Sequence, residues 1–445
     1  MTRDWSRLRR SECVPQMRAA RSGTVTEEVA RAAERERIDP EDLRRQVAEG
    51  RAIVPANVRH GSLDPAAVGA ALACKINANI GNSSARSDLP AELAKLDLCV
   101  RLGADAVMDL STGGDIDSIR RAIVDASPLP VGTVPIYQAA VGAEDLRSLR
   151  PEDFLAAVER HAADGVDFAT IHAGILREFL PAARRRRTGI VSRGGAILAQ
   201  WMMSTGRQNP FHERFDDLLT ICRRHDLALS LGDGLRPGCL ADANDEAQFA
   251  ELDVLGALTL RARERDVQVM VEGPGHVPID RIAENVDRER RVCHGAPFYV
   301  LGPLVTDVAL GHDHVASAIG GALAAFHGAA MLCYVTPKEH LGLRGLEDVR
   351  ADVIVHRIAA HAADVATGKP GARERDDAMS LARFRFDWET MFRLALDPEA
   401  ARRGRDPGPS GCDRPDECCS MCGPRFCAMR LTRDLDKLDG PPPRG

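Results

Sequence analysis

Three cysteines near the end of the chain form its most distinctive chemical pattern. Cys419, Cys422 and Cys427 are separated by two and then four residues, in a polar stretch rich in Pro and Gly. A hydrophobic core has no use for this spacing, whereas thiolates on one tight loop can bind a single metal centre. Three thiolates would leave one iron of a [4Fe–4S] cluster free to bind a small molecule. A closed zinc site needs a fourth ligand, which Cys412 or Cys418 could supply, so the spacing alone leaves both centres open.

A second group of reactive residues lies where short apolar runs end. In a barrel of parallel strands, catalytic groups sit at the carboxyl ends of the strands. Nearly every apolar run in this chain ends beside a polar or ionisable group, which a barrel serving only as a scaffold would not need. These positions are Asn79, Met108 with Asp109, Tyr137, His172, Ser192-Arg193-Gly194-Gly195, Asp233-Gly234-Leu235-Arg236, Glu272, His276, Tyr299 and His340.

Two of these positions suggest particular ligands. Arg193 offers a fork of donors, and Gly194 lets backbone N–H groups approach a phosphate at a helix start, although a plain helix-start turn explains the pattern equally well. His276 must lie on a rigid turn because Gly and Pro precede it. Together with His340 it forms a candidate two-histidine metal site, the alternative being two hydrogen-bonded structural histidines.

The elements that would position these residues are predicted to form an α/β barrel. Continuous Val/Ile/Leu runs alternate with amphipathic stretches, as in a parallel sheet buried on both faces. About eight such units favour a closed (β/α)₈ TIM barrel, and no glycine-rich dinucleotide motif follows the first strand to favour an open sheet. The predicted strands are residues 52–56, 106–110, 131–136, 166–171, 189–191, 227–231, 267–271, 299–304 and 331–335. The predicted helices between them include residues 91–102, 116–125, 151–163, 213–224 and 246–263.

The pattern divides the chain into four parts. We predict an N-terminal helical segment over residues 1–50, the barrel over 51–345, a C-terminal helical domain over 346–405 and a flexible tail over 406–445 that carries the cysteine motif. The C-terminal helices are predicted over residues 348–366, 371–384 and 387–404.

Composition excludes some classes of partner. The net charge of −6 argues against nucleic acid as the main partner. Residues 319–335 are Gly/Ala-rich and contain His327, which indicates a helix followed by a buried strand and not a membrane span. Seven cysteines outside the tail are scattered singly, as expected in a reducing cytoplasm.

Long stretches of the chain, from about residue 15 to 430, resemble one enzyme family, the phosphomethylpyrimidine synthases, which are radical S-adenosylmethionine (SAM) lyases of thiamine biosynthesis. Besides the cysteine motif, the resemblance rests on Lys75-Ile-Asn-Ala-Asn-Ile-Gly-Asn82, Val107-Met-Asp-Leu-Ser-Thr-Gly113, Gly132-Thr-Val-Pro-Ile-Tyr-Gln138, Ile171-His-Ala-Gly174, Gly189-Ile-Val-Ser-Arg-Gly-Gly195, Ser230-Leu-Gly-Asp-Gly-Leu-Arg-Pro-Gly238, Val271-Glu-Gly-Pro-Gly-His-Val-Pro278 and Cys333-Tyr-Val-Thr-Pro-Lys-Glu-His-Leu-Gly342.

The resemblance implies a site and a reaction. It implies a [4Fe–4S] cluster on Cys419, Cys422 and Cys427 that holds SAM, and a second metal, Zn²⁺ or another divalent ion, on His276 and His340. The implied reaction begins with reductive cleavage of SAM to a deoxyadenosyl radical. It converts 5-aminoimidazole ribotide to hydroxymethylpyrimidine phosphate, with loss of formate and carbon monoxide. The implied substrate contacts are Asn79, Met108, Tyr137, His172, Ser192, Arg193, Gly194, Asp233, Gly234, Leu235, Arg236, Glu272 and Tyr299, of which Glu272 and Tyr299 are expected to be catalytic.

The resemblance also implies partners. The resemblance implies a domain-swapped homodimer, in which the tail of one subunit covers the barrel of the other. A one-electron donor such as flavodoxin or ferredoxin is expected as the reducing partner.

The chain departs from the family in some places. The family usually has Ala-Pro-Gly-Tyr-Asp-His, whereas this chain has Ala309-Leu-Gly-His-Asp-His314, so the role of His312 is open. The extra N-terminal domain of long family members is not expected here. Related 5-hydroxybenzimidazole synthases act on the same ribotide with the same barrel and cysteine motif, and they remain an alternative. A zinc-closed binding module and a metal-dependent aldolase or hydrolase using Glu272, His276 and His340 are two further alternatives.

Overall fold

The computed structural model describes residues 14–83, 88–406 and 419–435. Cys412, Cys418 and most of the predicted flexible tail (residues 407–418 and 436–445) lie outside the described residues. The chain divides into two compact units, Met1–Pro370 and Gly371–Gly445.

The first unit contains a closed barrel of parallel strands, which confirms the predicted fold class. The barrel strands follow one another in chain order, and the last pairs with the first through Met331 opposite Lys75. In chain order the strands of this unit are β1 (Ala52–Ile53), β2 (Val68–Gly69), β3 (Lys75–Ile80), β4 (Ala106–Asp109), β5 (Val131–Thr133), β6 (Phe168–Ile171), β7 (Ala228–Leu231), β8 (Val269–Gly273), β9 (Phe298–Val300) and β10 (Met331–Cys333), with β3 to β10 forming the barrel.

Helices surround the barrel and cover its outer face. Their apolar residues form one buried core with those of the strands, and neighbouring helices also contact one another. Phe154, for example, makes T-shaped contacts with Trp201 and Phe211 of two other helices, at centroid distances of 5.6 and 5.7 Å. The helices of this unit are α1 (Gln16–Arg21), α2 (Glu27–Glu36), α3 (Pro40–Ala48), α4 (Leu89–Leu102), α5 (Ile116–Ala126), α6 (Pro135–Val141), α7 (Pro151–Ala163), α8 (Leu180–Ala183), α9 (Arg193–Thr205), α10 (Pro210–Glu213), α11 (Phe215–His225), α12 (Glu246–Glu264), α13 (Ile282–Val292), α14 (Asp313–His327) and α15 (Leu346–Thr367).

Two predicted barrel strands are wrong. Residues 52–53 instead form β1, which pairs antiparallel with β2 beside the N-terminal helices α1 to α3. Residues 189–191 form no strand and lead into α9. The first barrel strand is β3, which the apolar-run criterion missed because Asn77 and Asn79 alternate with Ile76, Ala78 and Ile80. All six residues of β3 are buried, and the Nδ2 groups of the two Asn side chains have polar partners across the barrel.

Helix α15 belongs to the first unit. It packs on α14, where Ser317 Oγ lies 2.9 Å from His356 Nε2, and also on α4. The division at Pro370 therefore falls later in the chain than the predicted barrel end at residue 345. The predicted domain limits as a whole stay a prediction.

The second unit is helical in its described part. Its helices are α16 (Ala372–Arg385), α17 (Trp388–Leu394), α18 (Pro398–Gly404), α19 (Gly423–Phe426) and α20 (Ala428–Leu435). The single helix predicted over 387–404 is two helices, because Asp397 caps a new N-terminus ahead of Pro398. Among the described residues of both units, no helix combines the length and apolar character needed to cross a bilayer.

Candidate active site at the carboxyl end of the barrel

The carboxyl ends of the barrel strands surround a cavity that is open to solvent, with about 490 Å³ of space including its mouth. Ligand sites in such barrels occupy this face because the loops that follow the strands converge there. Eight residues predicted from strand ends line the cavity, namely Asn79, Met108, Tyr137, His172, Asp233, Arg236, Glu272 and Tyr299. The structure thus brings together side chains from seven of the barrel strands or the segments that directly follow them, and their individual roles stay predictions.

Hydrogen bonds hold the polar side chains at the base of this cavity in place. Asn77 Nδ2 donates to the Tyr299 hydroxyl at 2.7 Å, and that hydroxyl lies 3.4 Å from Met108 Sδ. Asn79 Nδ2 lies 3.0 Å from Cys333 Sγ. These contacts orient Asn79 and Tyr299 before any ligand binds.

Sequence reasoning missed three polar side chains of this site, Asn77, Thr170 and Cys333. Thr170 and Cys333 line the cavity, and Asn77 lies beneath it. Asn77 and Thr170 each precede a predicted site residue by two positions, and residues i and i+2 on a strand share a face. That alternation was the available signal.

Five other predicted contacts, Ser192, Arg193, Gly194, Gly234 and Leu235, do not line the cavity. Arg193 lies beside it, with its guanidinium carbon 4.9 Å from the centre of the Tyr137 ring. Ser192 caps α9, its hydroxyl accepting from Gly195 N–H at 3.2 Å.

The two glycines among these five lie where little room is left for a side chain. A Cβ on Gly194 would come within 2.3 Å of the His172 ring, so the start of α9 lies directly against the cavity wall. Gly234 and Leu235 form the backbone turn behind Asp233, where Leu235 N–H donates to Glu251 Oε2 at 2.6 Å.

Burial shifts the protonation of the cavity's ionisable groups. Burial raises the pKa of Asp233 to about 7, although Arg236, whose Nη1 lies 3.0 Å from Asp233 Oδ1, opposes the shift. Burial, with a smaller effect of Arg236, lowers the pKa of His172 to about 3, so its imidazole is neutral. His172 Nδ1 and Asp233 Oδ2 are buried and have no hydrogen-bond partner among the described residues, which leaves both free for a ligand.

His276 and His340 meet at the rim of the barrel. Their ring centroids are 5.8 Å apart. His276 Nδ1 lies 2.9 Å from Asp307 Oδ1, and His340 Nδ1 lies 3.3 Å from Asp313 Oδ1. A carboxylate on Nδ1 orients the ring so that Nε2 can bind a metal, as in known zinc sites. The donor set therefore fits a divalent metal.

The cysteine motif lies in the second unit. Partial loss of hydration and then the nearby Cys419 and Cys427 thiols raise the pKa of Cys422. Three soft ligands on one short segment fit an iron–sulfur cluster. In the parts of the chain that the structure describes, no group of three or more His, Cys, Asp or Glu side chains is already arranged around a metal position.

Two comparisons with known proteins identify relatives of this chain. The model of the radical SAM ThiC family matches residues 15–434. The phosphomethylpyrimidine synthase of Natronomonas pharaonis is 59% identical over 430 residues, which are 96% of this chain and 90% of that protein.

Solved structures give only a weak likeness. The dihydropteroate synthase of Coxiella burnetii is 13% identical, with a TM-score of 0.39 over 66% of this chain and 94% of that one. That of Xanthomonas albilineans is also 13% identical, with a TM-score of 0.40 over 72% of this chain and 100% of that one. These scores support no further inference.

Proposed function

We propose a function for this chain from the premise that it belongs to the radical SAM ThiC family. It converts 5-aminoimidazole ribotide to 4-amino-5-hydroxymethyl-2-methylpyrimidine phosphate with release of formate and carbon monoxide, as a radical SAM lyase of cytoplasmic thiamine biosynthesis. The observation that carries the proposal is the convergence of eight predicted contact residues on one strand-end cavity. The 59% sequence identity to a phosphomethylpyrimidine synthase supports the choice of substrate.

The chain's own residues supply binding and orientation. The start of α9 at Ser192 to Gly194 and the Arg193 side chain offer donors to the ribotide phosphate. Neutral His172 and the Asp233–Arg236 pair offer acceptor and donor atoms to its sugar and ring. Glu272 and Tyr299 are the groups that hold or move protons beside the reacting carbon atoms.

The metal centres complete the proposal. Cys419, Cys422 and Cys427 hold the [4Fe–4S] cluster, and His276 and His340 hold Zn²⁺ or another divalent ion. When bound, the cluster and SAM supply one-electron reductive chemistry that protein side chains lack. Walls of buried side chains around the cavity keep water from reactive intermediates. A flavodoxin or ferredoxin serves as the electron donor.

Anaerobic turnover tests the proposal. The full chain is reconstituted with iron and sulfide and mixed with SAM, a reductant and the ribotide, and the products are identified by mass spectrometry. We expect the pyrimidine phosphate together with methionine and 5′-deoxyadenosine, and no turnover by Cys419→Ala. The alternative is supported if 5-hydroxybenzimidazole forms instead. If a cluster assembles but SAM is never cleaved, the proposal is wrong.

A further inference from the structure

One oxygen of Glu272 is held by two hydroxyl groups from neighbouring strands. Thr170 Oγ1 donates to Glu272 Oε1 at 2.6 Å, and Ser230 Oγ donates to the same atom at 2.7 Å. Thr170 on β6 lies directly opposite Ser230 on β7 in the barrel register, and Ser230 lies opposite Met270, two residues before Glu272 on β8. The three side chains therefore share the interior of the barrel at adjacent levels.

Both hydroxyls are sealed from solvent, with Ser230 fully buried and Thr170 only 3% exposed. A hydroxyl group has one proton to donate, and each of these two donates it to Glu272 Oε1. The second oxygen, Oε2, receives no hydrogen bond from the described residues, and Glu272 lines the cavity. The pair thus leaves one defined carboxylate oxygen for a ligand.

We propose that Thr170 and Ser230 are positioning residues that turn Glu272 so that Oε2 faces the substrate as a hydrogen-bond acceptor. This inference rests on the proposed function and adds to it: the substrate group at Oε2 is an N–H or O–H donor. Hydroxyl donors in this pair select the ionised, accepting form of the carboxyl group. An apolar residue at either position would leave Glu272 Oε1 with one of its two hydrogen bonds.

The electrostatic surroundings of Glu272 agree with this role. Burial raises the pKa of Glu272, while Thr170, Ser230 and then Arg236 lower it. The other ionisable groups that act on or respond to Glu272 are Asp233, Tyr137 and Tyr299. Loss of one hydroxyl removes a lowering influence, so the pKa rises further. If the ribotide binds only to the ionised form of Glu272, its affinity then rises at a higher pH than in the wild-type chain.

Binding and infrared measurements on the ligand-free full chain test the proposal. Affinity for 5-aminoimidazole ribotide is measured by calorimetry between pH 6 and pH 9. We expect Thr170→Val and Ser230→Ala each to weaken binding about tenfold near neutral pH, the usual effect of losing a hydrogen bond to a charged group. In both variants the rise of affinity with pH moves to higher pH. Thr170→Ser, which keeps the hydroxyl, restores most of the binding.

An infrared titration separates this inference from the proposed function. The Glu272 carboxylate band is identified by its loss in Glu272→Gln, and we expect its titration to move to higher pH in Thr170→Val. Thr259→Val is the matched control, because it removes another buried hydroxyl, one that donates to Leu255 O on α12. That variant should leave the band unchanged.

Each outcome decides one of the two ideas. If the wild-type chain does not bind the ribotide but the band shifts, the proposed function fails and the positioning role stands. If neither Thr170→Val nor Ser230→Ala alters the band or the affinity, the positioning role is wrong. The same conclusion holds if Thr170→Ser is as defective as Thr170→Val.

Discussion

Asp352 shows how strongly burial controls single ionisable residues in this protein. It lies on α15 with no exposed surface, and neither carboxyl oxygen has a hydrogen-bond partner among the described residues. Burial raises its pKa to about 9, because Arg344 only partly offsets the loss of hydration. At neutral pH the group is therefore protonated, in contrast to the exposed, paired carboxylates of the surface.

We predict that Asp352 makes the stability of the protein depend on pH. Its folded pKa of about 9 lies above the unfolded value near 4. The stabilising contribution of Asp352 to the unfolding free energy is therefore complete below about pH 4 and is lost as the pH rises through 9. Asp352→Asn should reduce the fall in unfolding free energy between pH 5 and pH 9 by about 2 kcal/mol or more. Thermal unfolding at several pH values measures this, with the exposed Asp97→Asn as control. An unchanged slope in Asp352→Asn would contradict the assignment.

At the scale of elements, the site depends on a close approach between the start of α9 and the turn after β7. A Cβ added at Gly195 would lie 2.2 Å from the Gly234 carbonyl oxygen, a backbone atom that cannot rotate away. Glu251 on α12 holds the same turn from behind through Leu235 N–H. Arg193, beside the cavity, and the Asp233–Arg236 pair, in its wall, are thereby kept close to each other.

Gly195→Ala should push these two elements apart. Overpacking of this kind costs about 1–3 kcal/mol of unfolding free energy. Ribotide binding should weaken as well, because one ligand can no longer contact the start of α9 and Asp233 together. Calorimetry and thermal unfolding measure both effects. Gly404→Ala is the matched control, since no atom lies within 4 Å of its added Cβ. Wild-type affinity for the ribotide in Gly195→Ala would contradict the prediction.

At the scale of the whole molecule, the cavity and the cysteine motif belong to different compact units. Chemistry that needs both units can be completed within one chain or between two copies. The resemblance to domain-swapped family members predicts the second arrangement, and only an assay that mixes subunits distinguishes them.

Mixing two inactive variants tests this prediction. Cys419→Ala removes a cluster ligand and Glu272→Gln removes a cavity carboxylate. With random exchange, half of the dimers are mixed and one of their two sites is intact, so about a quarter of wild-type activity should return. Native mass spectrometry confirms that exchange has occurred. No recovery after verified exchange would show that each site is built from a single chain.

The chain's own sequence determined the barrel and most of the site. Alternation of apolar runs with amphipathic stretches is a local property, and it predicted the closed parallel barrel and helices such as α7 with its bounds at Pro151 and Ala163. Strand-end position then predicted the cavity residues, because all carboxyl ends of a parallel barrel lie on one face.

Tertiary structure alone decided which polar residues share the interior. The Nδ2 groups of Asn77 and Asn79 find Tyr299 and Cys333 as partners across the barrel, which lets two polar residues lie in a buried strand, so no apolar run marked β3. Residues 52–56 have a strand-like composition, yet only Ala52 and Ile53 form a strand, which pairs with β2 outside the barrel, while the barrel closes between β10 and β3. The hydroxyl of Thr170 acts on a carboxylate 102 residues away. Such contacts depend on long-range register, which no local pattern encodes.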